Sequence, residues 1–259
     1  MKILIGFFFA TAILAGASLP CAAQGALTTW DVGGVKREAL IFAPAAHPSG
    51  KHPLIFAFHG HGGNMNGVSR MMGFQNLWPE AIVVYPQGLP TPSRKDPQGL
   101  RPGWQTESGQ VGDRDLQFFD VMLADLKKKY AVDEGRIYST GFSNGALFTF
   151  LLWAKRGKTF AAFGICAGAL EASERLGDPR PVLLIAGQND KVLPFEAQQR
   201  ALDSVRQVNG ATGPGRPCGP FCTLYPSTHR AEVMAIVHPG GHVFTPRISQ
   251  QIAAFFQTH

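Results

Sequence analysis

A five-residue stretch, Gly141-Phe142-Ser143-Asn144-Gly145, constrains this chain more than any other. It follows a β-rich run, Arg136 to Thr140, and leads into an apolar run from Ala146 to Ala154. A strand that turns through G-x-S-x-G directly into a helix forms a tight elbow, with the serine strained and its hydroxyl raised off the sheet. Glycines two residues to either side leave room for strand and helix to approach. The pattern alone is ambiguous, because glycine and serine are common turn residues and the chain holds 30 glycines. A nucleophilic reading requires the rest of the sequence to supply a base, an acid and donors for a developing anion.

The flanking sequence alternates strands with helices. Leu54–Phe58, Ala81–Tyr85, Phe160–Gly168 and Pro181–Gly187 are apolar throughout, as strands are when helices cover both faces of a sheet. Glu232–Val237 reads as a further strand. Asp115–Tyr130 carries Leu116, Phe119, Leu123 and Leu126 at helical spacing. Ala197–Val208 also reads as a helix, and so does Pro246–Phe256, with its proline at the start. Leu27–Asp31 and Val35–Phe42, joined through Gly33-Gly34, predict a hairpin at a sheet edge. Residues 44–53 read as a polar loop and Val132–Gly135 as a turn. Leu89–Asp113 has no period, and so long an irregular segment is usually functional. The sum predicts an α/β chain with a mainly parallel sheet covered by helices on both faces.

With 259 residues, 45% hydrophobic and 16% charged, one compact domain is expected. Its first residues stand apart. Lys2 precedes an uncharged apolar run, and Pro20 and small residues up to Ala23 follow, which predicts a cleaved secretory signal over 1–23 and a catalytic domain over 24–259. Secretion, to the periplasm or the exterior, is therefore expected, with no membrane anchor left after cleavage. The formal net charge of +6 is modest. Lys127-Lys128-Lys129, the one dense basic run, falls at a helix end where cations suit the dipole, so no nucleic-acid partner is expected. Cys218 and Cys222 lie in a Pro/Gly-rich loop that an oxidising compartment would close as a disulfide. Cys166, in an apolar run, reads as a core residue.

Three strand ends carry the chemistry, since functional groups of an open parallel sheet gather at the carboxyl ends of its strands. Ser143 is at one, Asp190 follows the strand ending at Gly187, and His242 follows the strand ending at Val237. A serine hydroxyl needs an imidazole to take its proton, and the imidazole needs a carboxylate to fix its tautomer. His238 rivals His242, and Asp178 and Asp203 rival Asp190; His238 lies before the glycine pair, Asp178 precedes its strand and Asp203 lies in a helix. The oxyanion donors are expected to be the backbone amides of Asn144 and of His61 in the loop His59-Gly60-His61-Gly62-Gly63. A His59/His61 chelate lacks a third ligand, so neither metal nor organic cofactor is expected. Trp104, Phe142 and Phe244 are candidate apolar walls for a substrate.

These stretches, together with Val83-Val84-Tyr85-Pro86-Gln87-Gly88, Tyr130-Ala131-Val132-Asp133 and Gly240-Gly241-His242, resemble secreted α/β-hydrolases of the polyhydroxybutyrate depolymerase and feruloyl esterase type, grouped with family 1 carbohydrate esterases. The resemblance implies the α/β-hydrolase fold, with Ser143 as nucleophile, Asp190 as acid and His242 as base. The chain departs from the family pattern in two places. Ala146 follows the elbow glycine, and Arg114 interrupts the acid pair Asp113/Asp115, which puts that pair's part in shaping a cleft in doubt. The implied activity is serine-esterase hydrolysis through an acyl-enzyme, on feruloyl-type esters of plant cell-wall polysaccharide. The alternative is depolymerisation of short-chain hydroxyalkanoate polyesters. A serine peptidase and a non-catalytic binding protein are weaker rivals: the first normally needs an extra domain or a well-defined pocket and no extra domain is expected, and the intact triad and oxyanion loop count against the second.

Overall fold

A computed structural model describes residues 25–44 and 50–259. The expected signal at 1–23 and part of the 44–53 loop lie outside the described residues. The chain opens with β1 (Ala26–Val32) and β2 (Val35–Phe42), an antiparallel hairpin. Its two turn residues, Gly33 and Gly34, have φ of 60° and 81°, the positive pair that a hairpin turn of this length demands. Then come β3 (His52–Phe58), α1 (Met65–Met72), α2 (Phe74–Leu77) and β4 (Ile82–Pro86). A two-residue ribbon, β5 (Leu89–Pro90) and β6 (Pro102–Gly103), precedes α3 (Arg114–Lys129), β7 (Val132–Phe142) and α4 (Asn144–Arg156). The remainder is β8 (Ala162–Cys166), β9 (Val182–Gly187), α5 (Phe195–Val208), β10 (Arg216–Gly219), β11 (Cys222–Tyr225), β12 (Val233–His238) and α6 (Pro246–Gln257).

Ten strands form one sheet in the order β1-β2-β4-β3-β7-β8-β9-β12-β11-β10. The six central strands, from β4 to β12, are mutually parallel, and an antiparallel hairpin closes each edge. Side chains alternate between the two faces: Phe56 and Phe58 join the core under α3, α4 and α5, while Ile55 and Ala57 join the core under α1, α2 and α6. Two apolar layers explain why β3 reads as a continuous apolar run with no polar face.

The structure adds elements that periodicity did not anticipate. α1 is capped by Asn64, whose side chain accepts from Gly67 N–H at 2.8 Å, and it stops at Gly73 in the left-handed region. Those cap residues are visible in the sequence, but glycine at 67 and asparagine at 66 obscure the helical pattern. Residues 132–135 are not a turn: β7 starts at Val132, which pairs with His52, and so runs for 11 residues. The Cys218–Cys222 loop is the tip of the β10–β11 hairpin, closed by a disulfide between those cysteines. Cys166 is buried with a free thiol.

Candidate active site

Ser143 sits between β7 and α4 with φ 57° and ψ −123°, a conformation that a non-glycine residue adopts only when its surroundings impose it. What imposes it is close packing at both ends of the elbow. A Cβ on Gly141 would collide with the backbone of Gly145, and one on Gly145 with the backbone of Phe58. Ser143 N–H donates to Cys166 O at 3.1 Å, tying the elbow to the end of β8. The serine is half-buried, and its hydroxyl makes no hydrogen bond among the described residues.

Asp190 and His242 meet next to Phe142, the residue before Ser143. Asp190 ends the turn after β9, and its side chain is fully buried. Oδ1 accepts from the N–H groups of Val192 and Leu193 at 2.8 and 2.9 Å, and Oδ2 lies 2.7 Å from His242 Nδ1. Burial alone pushes this carboxyl up, but the hydrogen bonds from His242, Leu193 and Val192 outweigh it and hold the group below the usual carboxylate range. Asp190 therefore stays ionised, and the Nδ1 proton of His242 points at it, leaving Nε2 for other work. The two loops are stitched together: Gln188 N–H donates to His238 O at 2.9 Å, and Asn189 N–H to Gly240 O at 3.0 Å. His238 makes a different use of its ring, with Nδ1 accepting from Gly240 N–H at 3.1 Å. Asp203 lies in α5, accepting from Gln199, and Asp178 offers its carbonyl to the Trp153 indole. The fold thus joins His242 and Asp190 and leaves their three rivals apart.

The loop after β3 folds over the elbow. A Cβ built on Gly60 would stand 3.4 Å from Ser143 Cβ. The backbone amides of His61 and Asn144 donate to no backbone carbonyl among the described residues, whereas neighbouring Gly62 donates to Pro102 O at 2.7 Å. His59 is buried, and both of its ring nitrogens are occupied: Nδ1–H donates to Gly60 O at 2.7 Å and Nε2 accepts from Gly88 N–H at 3.0 Å. Burial drives its pKa down to about 4, so the ring is neutral at physiological pH. A ring with no free nitrogen is no metal ligand, and among the described residues no cluster of three metal-binding side chains occurs. His61 reaches away from Ser143, its Nε2 3.0 Å from Asp96 Oδ2.

Trp104 is not a cleft wall. It is 1% exposed, its ring stacked on Phe148 at 5.4 Å and edge-on to Phe58 at 5.1 Å. A ring inside the core has no face to offer a substrate. Its polar groups act as a strut instead. The indole Nε1–H donates to His59 O at 2.9 Å; the backbone N–H donates to Asn144 Oδ1 at 2.7 Å, and the backbone O accepts from Asn144 Nδ2 at 2.9 Å. Trp104 therefore bridges the two segments whose amides flank Ser143. Sequence reasoning also missed the anchor of this segment. Asp115 and Arg37, both 1% exposed, pair at 2.8 Å, and Asp115 accepts from Gln105 N–H at 2.9 Å. The interrupted acid pair pins the loop rather than lining a cleft. Phe142 and Phe244 do border the site: Phe142 packs on the His242 ring at 4.8 Å and edge-on to Phe244 at 5.7 Å.

Comparison with known proteins finds esterases. Feruloyl esterase C of Emericella nidulans is 29% identical over 242 residues, covering 89% of this chain and 86% of its own. The bifunctional acetylxylan esterase/xylanase XynS20E of Neocallimastix patriciarum is 27% identical over 176 residues, 67% of this chain and 24% of the larger protein. The solved acetyl xylan esterase from Aspergillus awamori superposes with a TM-score of 0.68 at 14% identity, over 91% of this chain and all of that one. The chain has the α/β-hydrolase fold and is similar in sequence to feruloyl esterases. No family model matches it. This serine esterase, a carboxylic-ester hydrolase, keeps the order Ser, Asp, His along the chain that the fold uses for its catalytic groups.

Proposed function

We propose that Ser143, His242 and Asp190 are the nucleophile, base and acid of a secreted esterase that hydrolyses hydroxycinnamoyl esters of plant cell-wall polysaccharide. The observation that carries the reading is the 2.7 Å contact of Asp190 with His242 at the lip of a serine elbow. Ser143 Oγ attacks the ester carbonyl as His242 Nε2 takes its proton, and the resulting imidazolium is stabilised by Asp190 across Nδ1–H. Negative charge growing on the carbonyl oxygen is met by the amides of His61 and Asn144, which donate to no backbone carbonyl among the described residues. The imidazolium then protonates the departing sugar hydroxyl. Water, deprotonated by His242, cleaves the acyl-enzyme and releases the acid.

Phe142 and Phe244 supply apolar surface for an aromatic acyl group beside His242. The Cys218–Cys222 disulfide supports an oxidising compartment, in keeping with the leader expected at 1–23. Among the described residues no helix is long and apolar enough to cross a membrane. One observation favours a second reading: burial of Trp104 removes a wall from the aromatic acyl pocket, which suits a smaller acyl group such as acetyl. Turnover of methyl ferulate against p-nitrophenyl acetate and butyrate, with Ser143→Ala as control, separates the two. Activity on the short esters alone would sink the feruloyl assignment, and full activity in Ser143→Ala would sink the triad.

A further inference from the structure

On the α6 side of the sheet, behind the loop that carries His242, lies a cavity of about 190 Å³. Its floor is Ile185, Ile236 and Ile248, all less than 9% exposed. Its rim is Phe221, 60% exposed at the tip of the disulfide-closed hairpin. The Phe221 backbone is fixed in the left-handed region with φ 60°, and its carbonyl accepts from Val237 N–H at 2.9 Å. These two constraints fix the main chain that presents the exposed ring at the hairpin tip.

Two of the polar side chains around this cavity lack partners among the described residues. Arg247 makes no ion pair or hydrogen bond among the described residues, and neither does the Gln251 side chain. His238 accepts from Gly240 N–H through Nδ1, which places its proton on Nε2 as a donor. Burial lowers the His238 pKa and outweighs the pull of Asp190, so this donor is neutral near pH 7. No acidic side chain lines the cavity. An apolar floor, an aromatic rim, a guanidinium and two neutral donors together select a flat apolar body bearing one negative group. The volume, below the roughly 300 Å³ of sites for drug-sized ligands, suits a single ring with a short tail.

We propose that this cavity is a second, non-catalytic binding site for a small aromatic monocarboxylate, with its ring on the isoleucine floor against Phe221 and its carboxylate on Arg247. Identifying that acid as the hydroxycinnamate released by catalysis rests on the feruloyl reading above; the preference for an aromatic anion does not. Val243, in the wall, directly follows His242, whereas Phe244 turns the other way onto Phe142. Occupancy therefore bears on the segment that positions the base, and the bound acid acts as a mixed inhibitor.

The test is calorimetric titration of ferulate into the whole protein, before and after Ser143 is capped with a fluorophosphonate. One site is expected to survive capping. Arg247→Gln should weaken that site by roughly 10- to 100-fold, the range for losing a charge-assisted hydrogen bond. Phe221→Ser should weaken it by less, and coniferyl alcohol, which lacks the carboxylate, should bind as poorly as ferulate does to Arg247→Gln. If Ser143 resists capping, the triad reading fails, but loss of one ferulate site in Arg247→Gln still supports this one. No binding after capping, wild-type binding of ferulate by both variants, or preference for xylotetraose over ferulate would each overturn it. Purely competitive inhibition of p-nitrophenyl acetate hydrolysis by ferulate would do the same.

Discussion

Asn144 is the residue at which fold and chemistry are most easily confused, and Asn144→Ala separates them. The substitution keeps the backbone amide next to Ser143 and removes only the carboxamide. That carboxamide accepts from Trp104 N–H at 2.7 Å and donates to Trp104 O at 2.9 Å. Trp104 is 1% exposed, so both backbone groups lose their partners without gaining water. Each buried unpaired group costs about 1–3 kcal/mol. Alanine at the first position of α4 returns roughly 0.5 kcal/mol of helix propensity. The net loss is about 2–5 kcal/mol, which for a domain of this size lowers Tm by roughly 5–15 °C. Urea unfolding at pH 7 measures it, and stability within about 0.5 kcal/mol of wild type, the scale of an ordinary surface substitution, would refute the strut. Asn144→Asp adds a signature of its own. At pH 7 the new carboxylate still accepts from Trp104 N–H but turns its second oxygen against Trp104 O. On acidification the carboxyl protonates and regains a donor, so the gap to wild type at the same pH should narrow. In kinetics, Asn144→Ala should lower kcat more than it alters KM, because slack between the two amides affects the transition state more than the bound ester.

Other predictions follow from the same geometry. His59 is neutral and buried with a pKa near 4, against 6.5 when unfolded, so the unfolded chain takes up the proton first as pH falls. Stability should drop by about 3 kcal/mol between pH 6.5 and 4; urea midpoints across that window, compared with His59→Gln, would show whether the slope belongs to this ring. Asp190→Asn leaves the shape intact but no longer stabilises the imidazolium, so kcat on an activated ester should fall by about 10³- to 10⁴-fold with little change in KM. A fall of less than tenfold would remove Asp190 from the mechanism. Gly145→Ala should yield little soluble protein, since its Cβ has no space against the Phe58 backbone; normal expression and melting would contradict the packing argument.

Much of this molecule was legible in its sequence because the signals were local. Continuous apolar runs marked β3, β4, β8 and β9, since a strand covered on both faces has no polar side to show. Glycines at 141 and 145 announced the elbow, because only a residue without Cβ permits so close an approach there. The order Ser143, Asp190, His242 followed from where strands end. The tertiary structure decided whatever depended on partners distant along the chain. His242 rather than His238 reaches Asp190 because residues 188–189 hydrogen-bond to 238–240, a contact across about 50 residues that carries no local mark. Trp104 looked like a loop aromatic and became a strut, since its burial depends on Phe58, Phe148 and Asn144 converging from other elements. The buried Arg37–Asp115 pair joins residues 78 apart, and the cavity beside Phe221 exists only where the β10–β11 hairpin meets α6 and the His242 loop. Backbone propensity and strand termini are written along the chain; pairing of polar groups inside a core is settled only when the chain closes on itself.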